Sequence, residues 1–248
     1  MMIVENENER LAAVDQYQLM GTAAERDFDE ITALAAQICG MPIALVTLLG
    51  KEKQWFKSHH GTALQETDRD IAFCNHAIQD QNGIMVVTDA RQDERFRNNP
   101  LVTGDHKIVF YAGVPLVNPE GYALGTLCVL GHGQCELNSS QIIALRTLGR
   151  QALMLMEMRL KTRLLEQQNL ELARTNAALQ EFAKRAVHDL KNPLTSIILN
   201  SQALTYRLRD KVEERTLRLA EMNVSSGKEL AAMINQLLEE ALTANHHS

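Results

Sequence analysis

The longest regular feature of this sequence is a stretch from Ser139 to about Arg209 that contains one proline and one glycine. Within it, Leu165, Leu172 and Leu179 fall seven residues apart, and threonine or asparagine lies three positions before each leucine. A seven-residue repeat with leucine at position d and asparagine at position a is typical of a parallel two-stranded coiled coil. The sequence therefore predicts a long helix that pairs with the same helix of a second chain.

A second helix is predicted from about Val212 to Ala244. The segment 210–213 resembles a capping box at the start of a helix. Apolar residues at helical spacing then form a stripe at Leu230, Ile234, Leu237 and Ala241. Two antiparallel helices in each chain, doubled by pairing, predict a four-helix bundle.

The first 150 residues alternate between helical and strand-like patterns. A helix is predicted before Gly40, because glycine readily adopts the positive φ that a C-terminal cap requires. Another helix is predicted within "DRDIAFCNHAIQ". The runs "IALVTLLG", "KQWFKSHHG" and "IMVVTDA" favour strands. Two further apolar runs flank the turn 118–121 and indicate a hairpin. The fold class predicted for the chain is α+β, with an antiparallel sheet flanked by helices.

The composition excludes several classes of protein. The net charge of -6 leaves no basic surface for nucleic acid. We find no signal peptide at the N-terminus and no apolar run long enough to span a membrane, and therefore expect a cytoplasmic protein. The four cysteines contain no C-x-x-C pair, so free thiols and no metal site are expected.

The stretch "AVHDLKNPLTSI" is the strongest candidate for chemistry. The heptad register places His188 at position f, which faces away from the partner helix. Asp189 can hold the Nδ1 proton and leave Nε2 as a nucleophile, and Asn192 lies one helical turn further on. Pro193 has no N–H, so it weakens the helix next to the histidine and is expected to kink it.

This stretch resembles the H-box of sensor histidine kinases, whose pattern His-(Asp/Glu)-x-x-(Asn/Thr)-Pro-Leu is met from His188 to Leu194. The resemblance implies that His188 accepts the γ-phosphoryl group of ATP and passes it to an aspartate of a response regulator. It further implies that Asp189 assists as acid or base and that Asn192 helps to position water in the reverse, phosphatase reaction.

The first part of the chain resembles a GAF domain over roughly residues 15–150. The segments that carry this resemblance are "FDEITALAAQICGMPIALVTLL", "KQWFKSHHG", "FCNHAIQ", "TDARQDERF" and "FYAGVPLVNPEGYALGTLCVL". The resemblance implies a sensory module that binds a small molecule. We therefore expect a GAF sensor domain at 1–150, a coiled-coil signalling helix at 151–181, and a phosphoacceptor hairpin of the HisKA type at 182–248.

The sequence contains no asparagine box and no glycine-rich nucleotide loop. We therefore expect no cofactor in this chain, and expect ATP with Mg²⁺ to be bound by a separate catalytic domain. A fragment of a longer kinase is the favoured interpretation. The alternatives are a phosphotransfer protein that uses a separate ATP-binding domain, a non-enzymatic dimeric signalling scaffold, and a GAF nucleotide sensor with an unrelated output.

Overall fold

The computed structural model describes residues 6–80, 83–208 and 214–243. The chain divides into two compact units, of which the first ends at Leu164 and the second begins at Leu165. Each unit has its own internal packing and is described separately below.

The first unit contains helices and strands in mixed order. They are α1 (Glu7–Tyr17), α2 (Arg26–Cys39), β1 (Ile43–Leu49), β2 (Lys53–His60), β3 (Glu66–Asp68), α3 (Cys74–Ala77), β4 (Met85–Val87), α4 (Pro100–Thr103), β5 (Phe110–Val117) and β6 (Ala123–Gly131). A single 3₁₀ turn, Arg69–Ile71, precedes α3. The long helix α5 (Ser139–Leu208) begins in this unit.

The six strands form one sheet in the order β3-β2-β1-β6-β5-β4, and the neighbouring strands are antiparallel. The predicted hairpin is β5–β6, and Gly121 in its turn has φ of 90°. Gly40 caps α2 with φ of 66°, as its position after the apolar stripe predicts. The expected antiparallel sheet flanked by helices is confirmed.

Both faces of the sheet are covered by apolar side chains. On one face, alternate residues of β1 such as Val46 and Leu48 pack with α1, α2 and the first turns of α5. On the other face, Leu45 and Leu49 pack with Phe73 and the residues around α3. Burial on both faces explains why β1 is a continuous apolar run rather than an alternating one.

Two elements of this unit differ from the predictions. The helix predicted within "DRDIAFCNHAIQ" is split, because Ala72 is extended between the 3₁₀ turn and α3. Arg69 in that turn donates a hydrogen bond to the carbonyl of Gly50, which holds the turn against the β1–β2 loop, and another to Oδ1 of Asn75 in α3. The helix α1 has no counterpart among the predicted elements, because its residues are mostly polar and form no broad apolar stripe.

The second unit is a helical hairpin made by the rest of α5 and by α6 (Glu214–Thr243). At the start of α5, the Asn138 side chain accepts a hydrogen bond from the Gln141 amide, and the Gln141 side chain accepts one from the Asn138 amide. The predicted restart at 210–213 lies outside the described residues.

The helix α5 runs without interruption through residues 150 and 181, so the expected domain boundaries there remain predictions. None of the helices that the structure describes is long and apolar enough to cross a membrane.

Candidate functional sites

His188 lies on α5 within the helical hairpin, and 73% of its side chain is exposed. Its Nδ1 atom lies 3.2 Å from Oδ1 of Asp189, whose side chain is 79% exposed. When Nδ1 carries the proton, it donates to this carboxylate, and the lone pair is then on Nε2. The geometry can therefore present Nε2 as a nucleophile in solvent.

The helical hydrogen bonding changes directly after this histidine. Pro193 lies inside α5 and cannot donate to the carbonyl of Asp189. Two residues further on, the hydroxyl of Thr195 donates to the carbonyl of Lys191 at 2.8 Å, a contact that bends helices slightly. Asn192 directly precedes Pro193 and is exposed. The predicted weak point of the helix therefore combines a missing amide donor with a competing hydroxyl donor.

A different face of α5 packs against α6 in the hairpin. Leu194 is buried, and Ile198 is half-buried on the same face. On α6, Gly227 lies against Ile198, because a Cβ atom added there would come within 2.8 Å of Cγ1 of Ile198. The packed residues and His188 therefore lie on different sides of α5. The side chain of His188 remains accessible to solvent.

The leucines of the heptad repeat are exposed within the single chain. Leu165 and Leu172 are each 59% exposed, and Leu179 is 65% exposed. The apolar side chains of α6 that are exposed include Met222, Met233 and Leu237. Large apolar side chains in contiguous rows are uncommon on the surface of a monomer, so these rows favour a partner helix.

A cavity of about 250 Å³ lies in the first unit, on the face of the sheet that carries Phe73. Its wall is mixed, with apolar side chains from β1 and β6 and with polar side chains from β2, β3 and the loop before β5. A cavity of this kind, mostly apolar with a few convergent polar groups, is typical of small-molecule sites.

Two buried polar atoms in this cavity wall have no hydrogen-bond partner among the described residues, namely Oε1 of Gln54 and Oγ1 of Thr67. The two residues are directly opposite each other in the β2–β3 pairing. Buried polar atoms usually find a partner, so this pair is an unusual feature of the wall. Neither residue was predicted from the sequence, where a polar residue at an inward position of β2 is the signal that could have indicated them.

Among the residues that the structure describes, no group of three or more His, Cys, Asp or Glu side chains could hold a metal ion. Cys39, Cys74, Cys128 and Cys135 are free thiols, as the sequence predicts.

The first unit is an antiparallel sheet flanked by helices, and the second is a helical hairpin that carries the exposed His188. The family model of the GAF domain matches residues 24–154, and the model of the His Kinase A phospho-acceptor domain matches residues 178–242. The chain therefore belongs to the GAF family, and a HisKA domain follows its GAF domain.

A curated protein with a similar segment is a cyclic di-GMP phosphodiesterase of Pseudomonas aeruginosa, 44% identical over 126 residues. The match covers 51% of this chain and 21% of that protein, so the chain spans about a fifth of this relative.

Solved structures with a similar fold are GAF domains of low sequence identity. The GAF domain of an Acinetobacter phosphoenolpyruvate-protein phosphotransferase is 15% identical, with 63% of this chain and 96% of that chain covered and a TM-score of 0.43. The PixJ GAF domain of Thermosynechococcus elongatus is 14% identical, with 69% and 98% covered and a TM-score of 0.45.

Proposed function

We propose that this chain is the sensory and phosphoacceptor portion of a histidine kinase, in which His188 is the residue that is phosphorylated. The observation that carries the proposal is the contact between Nδ1 of His188 and the Asp189 carboxylate on an exposed face of α5. The match to the HisKA family over 178–242 supports the same role.

In the proposed reaction, Nε2 of His188 attacks the γ-phosphorus of ATP. A nitrogen–phosphorus bond forms, the bond to the bridging oxygen breaks, and ADP leaves with the electron pair. The attack makes the imidazole more acidic, and Asp189 accepts or shares the proton on Nδ1. ATP and its Mg²⁺ ion would be bound by an ATP-binding domain, in the same polypeptide or in another.

The second step passes the phosphoryl group to an aspartate of a response regulator. The exposed position of His188 supports this step, because a second protein must approach the same nitrogen. Asn192 lies one turn further on the same helix, where its amide could orient a water molecule in the reverse, phosphatase reaction. Pro193 and Thr195 weaken the helix here, which supports a bend that alternates between the two activities.

The GAF domain is the proposed input, and its cavity is the proposed place for a small-molecule signal. Its wall combines apolar side chains with a few polar ones, such as Gln54 and Thr67, which supports a small ligand with both apolar and polar parts. Because α5 packs in the core of the first unit through Leu145 and continues to His188, it can carry a change in one unit to the other. We further propose that the exposed heptad leucines pair in a homodimer.

The direct test supplies the full chain with radiolabelled ATP and an isolated ATP-binding domain from a HisKA kinase. The wild-type chain should acquire label that is lost in acid and kept in base, as expected for phosphohistidine. The substitution His188→Gln should reduce this label to background. His60→Gln, on an exposed strand end of the GAF domain, is the matched control and should label like the wild type.

If His188→Gln and the wild type acquire equal label, His188 is not the phosphoacceptor. If neither acquires label while the donor domain labels a known HisKA hairpin, the non-enzymatic scaffold becomes the better interpretation.

A further inference from the structure

Two cysteines that are far apart in the sequence meet in the first unit. Cys74 begins α3 and Cys128 lies in the middle of β6, and their sulfur atoms are 3.8 Å apart. Both side chains are buried, at 2% and 0% exposure. A disulfide needs the two sulfurs about 2.05 Å apart, so a shift of less than about 2 Å would allow the bond.

The environment of this pair favours a thiolate on one of the two sulfurs. Thr126 and Tyr111 direct their hydroxyl groups to the sulfur of Cys74, at 3.0 and 3.4 Å. Burial alone would raise the pKa of the Cys74 thiol, but hydrogen bonds from Cys128, Thr126 and Tyr111 outweigh burial and lower it. Burial and the neighbouring Cys74 instead raise the pKa of Cys128. One sulfur is thus suited to attack, and the other stays protonated.

The pair can be reached only by a small molecule. Cys74, Cys128 and Tyr111 all line the cavity of about 250 Å³ described above. Because the sulfurs are almost completely buried, a bulky disulfide reagent cannot bring its own sulfur to them. A hydroperoxide is small and uncharged, as entry to a pair of sulfurs buried in this wall requires.

We propose that Cys74 and Cys128 form a redox-active dithiol, which reacts with a hydroperoxide that enters the cavity and then closes to a disulfide. The proposal goes beyond the phosphoacceptor function and does not depend on His188.

The reaction has two balanced steps. In the first, the Cys74 thiolate attacks one peroxide oxygen, the O–O bond breaks, and the other oxygen leaves with a proton as water or an alcohol, so that Cys74 becomes a sulfenic acid. In the second, the Cys128 sulfur displaces the hydroxyl group of that sulfenic acid, and its proton leaves with the hydroxyl as water. The two thiols lose two electrons and the peroxide is reduced.

Closure of the disulfide would also change the cavity. The sulfur atoms must move from 3.8 Å apart to about 2.05 Å apart. Because Cys74 lies in a short helix and Cys128 in a central strand, the helix is the element expected to move. Movement of α3 towards β6 would carry Phe73 with it, because Phe73 directly precedes Cys74 and stacks on Phe96 and Tyr111. Oxidation and occupation of the cavity would therefore affect each other.

The test treats the reduced full chain with a small excess of hydrogen peroxide, quenches at intervals in acid, and maps the four cysteines by differential alkylation and mass spectrometry. We expect a Cys74–Cys128 linked peptide to form at least tenfold faster than oxidation of Cys39 or Cys135. Cys39 is the internal reference, because burial, with a smaller contribution from Cys135, raises its pKa to about 11.

Three variants separate the two steps. Cys128→Ser should stop the reaction at a sulfenic acid on Cys74 that a cyclic 1,3-dione traps, and Cys74→Ser should prevent both products. Cys39→Ser is the matched control and should form the linked peptide at the wild-type rate. Equal oxidation of all four thiols, or a linked peptide that forms only in denaturant, would overturn the proposal. The wild-type measurement decides this even if a variant fails to fold.

Discussion

Gly227 of α6 lies so close to Ile198 of α5 that a Cβ atom at position 227 would come within 2.8 Å of the Ile198 Cγ1 atom. Glycine inside a helix normally costs about 1 kcal/mol relative to alanine. The close packing of two helices explains why this helix contains glycine at that position. The contact lies ten residues after His188 and fixes the packed side of the helix that carries it.

Substitution of Gly227 by alanine should therefore destabilise the hairpin. The added methyl group would overlap Ile198, and overpacking of this kind costs about 1–3 kcal/mol, which exceeds the gain in helix propensity. We expect a lower melting temperature of the helical hairpin by circular dichroism. Ser226→Ala, on the exposed neighbouring position, is the control and should leave the melting temperature unchanged or raise it. A Gly227→Ala chain that is more stable than the wild type would contradict the close contact.

The acid stability of the GAF domain should depend on Glu7. Burial raises the pKa of this carboxyl group, but hydrogen bonds from Arg10 and Arg69 outweigh burial and lower its pKa from 4.5 to about 2. Because the folded pKa is below the unfolded one, this stabilisation is complete above pH 4.5 and is lost as the pH falls towards 2.

We expect Glu7→Gln to lower the free energy of unfolding at pH 7 by about 2 kcal/mol, and to flatten its decrease between pH 5 and about pH 2. Urea unfolding at several pH values measures both effects. Glu94→Gln, at an exposed position, should change neither. If the wild type and Glu7→Gln lose stability in parallel over this pH range, the bridge from Glu7 to the two arginines does not form.

The pairing of two chains should depend on the heptad leucines and not on leucines in general. Leu172 at position d and Leu170 at position b are similarly exposed within one chain, at 59% and 54%. Leu172→Asp should raise the dimer dissociation constant at least tenfold, because a carboxylate would be buried in the seam. Leu170→Asp should leave it within about twofold. Sedimentation equilibrium measures both, and equal effects of the two substitutions would rule out the predicted register.

Asp189 should affect the rate of phosphorylation more strongly than Asn192. Asp189→Asn keeps a hydrogen-bond acceptor near Nδ1 of His188 but cannot accept its proton. A positioned general base contributes at least about a hundredfold, so we expect a loss of this size in the initial rate of phosphohistidine formation. Asn192→Ala should stay within about twofold of the wild type in the same assay. An equal loss in both variants would mean that the two side chains act only through the local structure of the helix.

Much of the architecture could be predicted because its causes are local. Leucines seven residues apart predict the long helix wherever the chain lies in space, and the glycine of the 118–121 turn predicts the β5–β6 hairpin. The motif at His188 could be recognised for the same reason, since its residues lie within two turns of one helix. The interrupted helix around Arg69 was not predictable, because contacts with Gly50 and Glu7 hold that turn.

The sequence by itself determined the two helices of the hairpin, the β5–β6 hairpin and the candidate phosphoacceptor, because each depends on residues that are close neighbours along the chain. Only the tertiary structure decided that the sulfur atoms of Cys74 and Cys128 lie side by side, and that Gln54 and Thr67 line one cavity. The strand order and the packing of α3 against the sheet bring these groups together. Such contacts result from the packing of the whole domain, and no periodicity in the sequence encodes them.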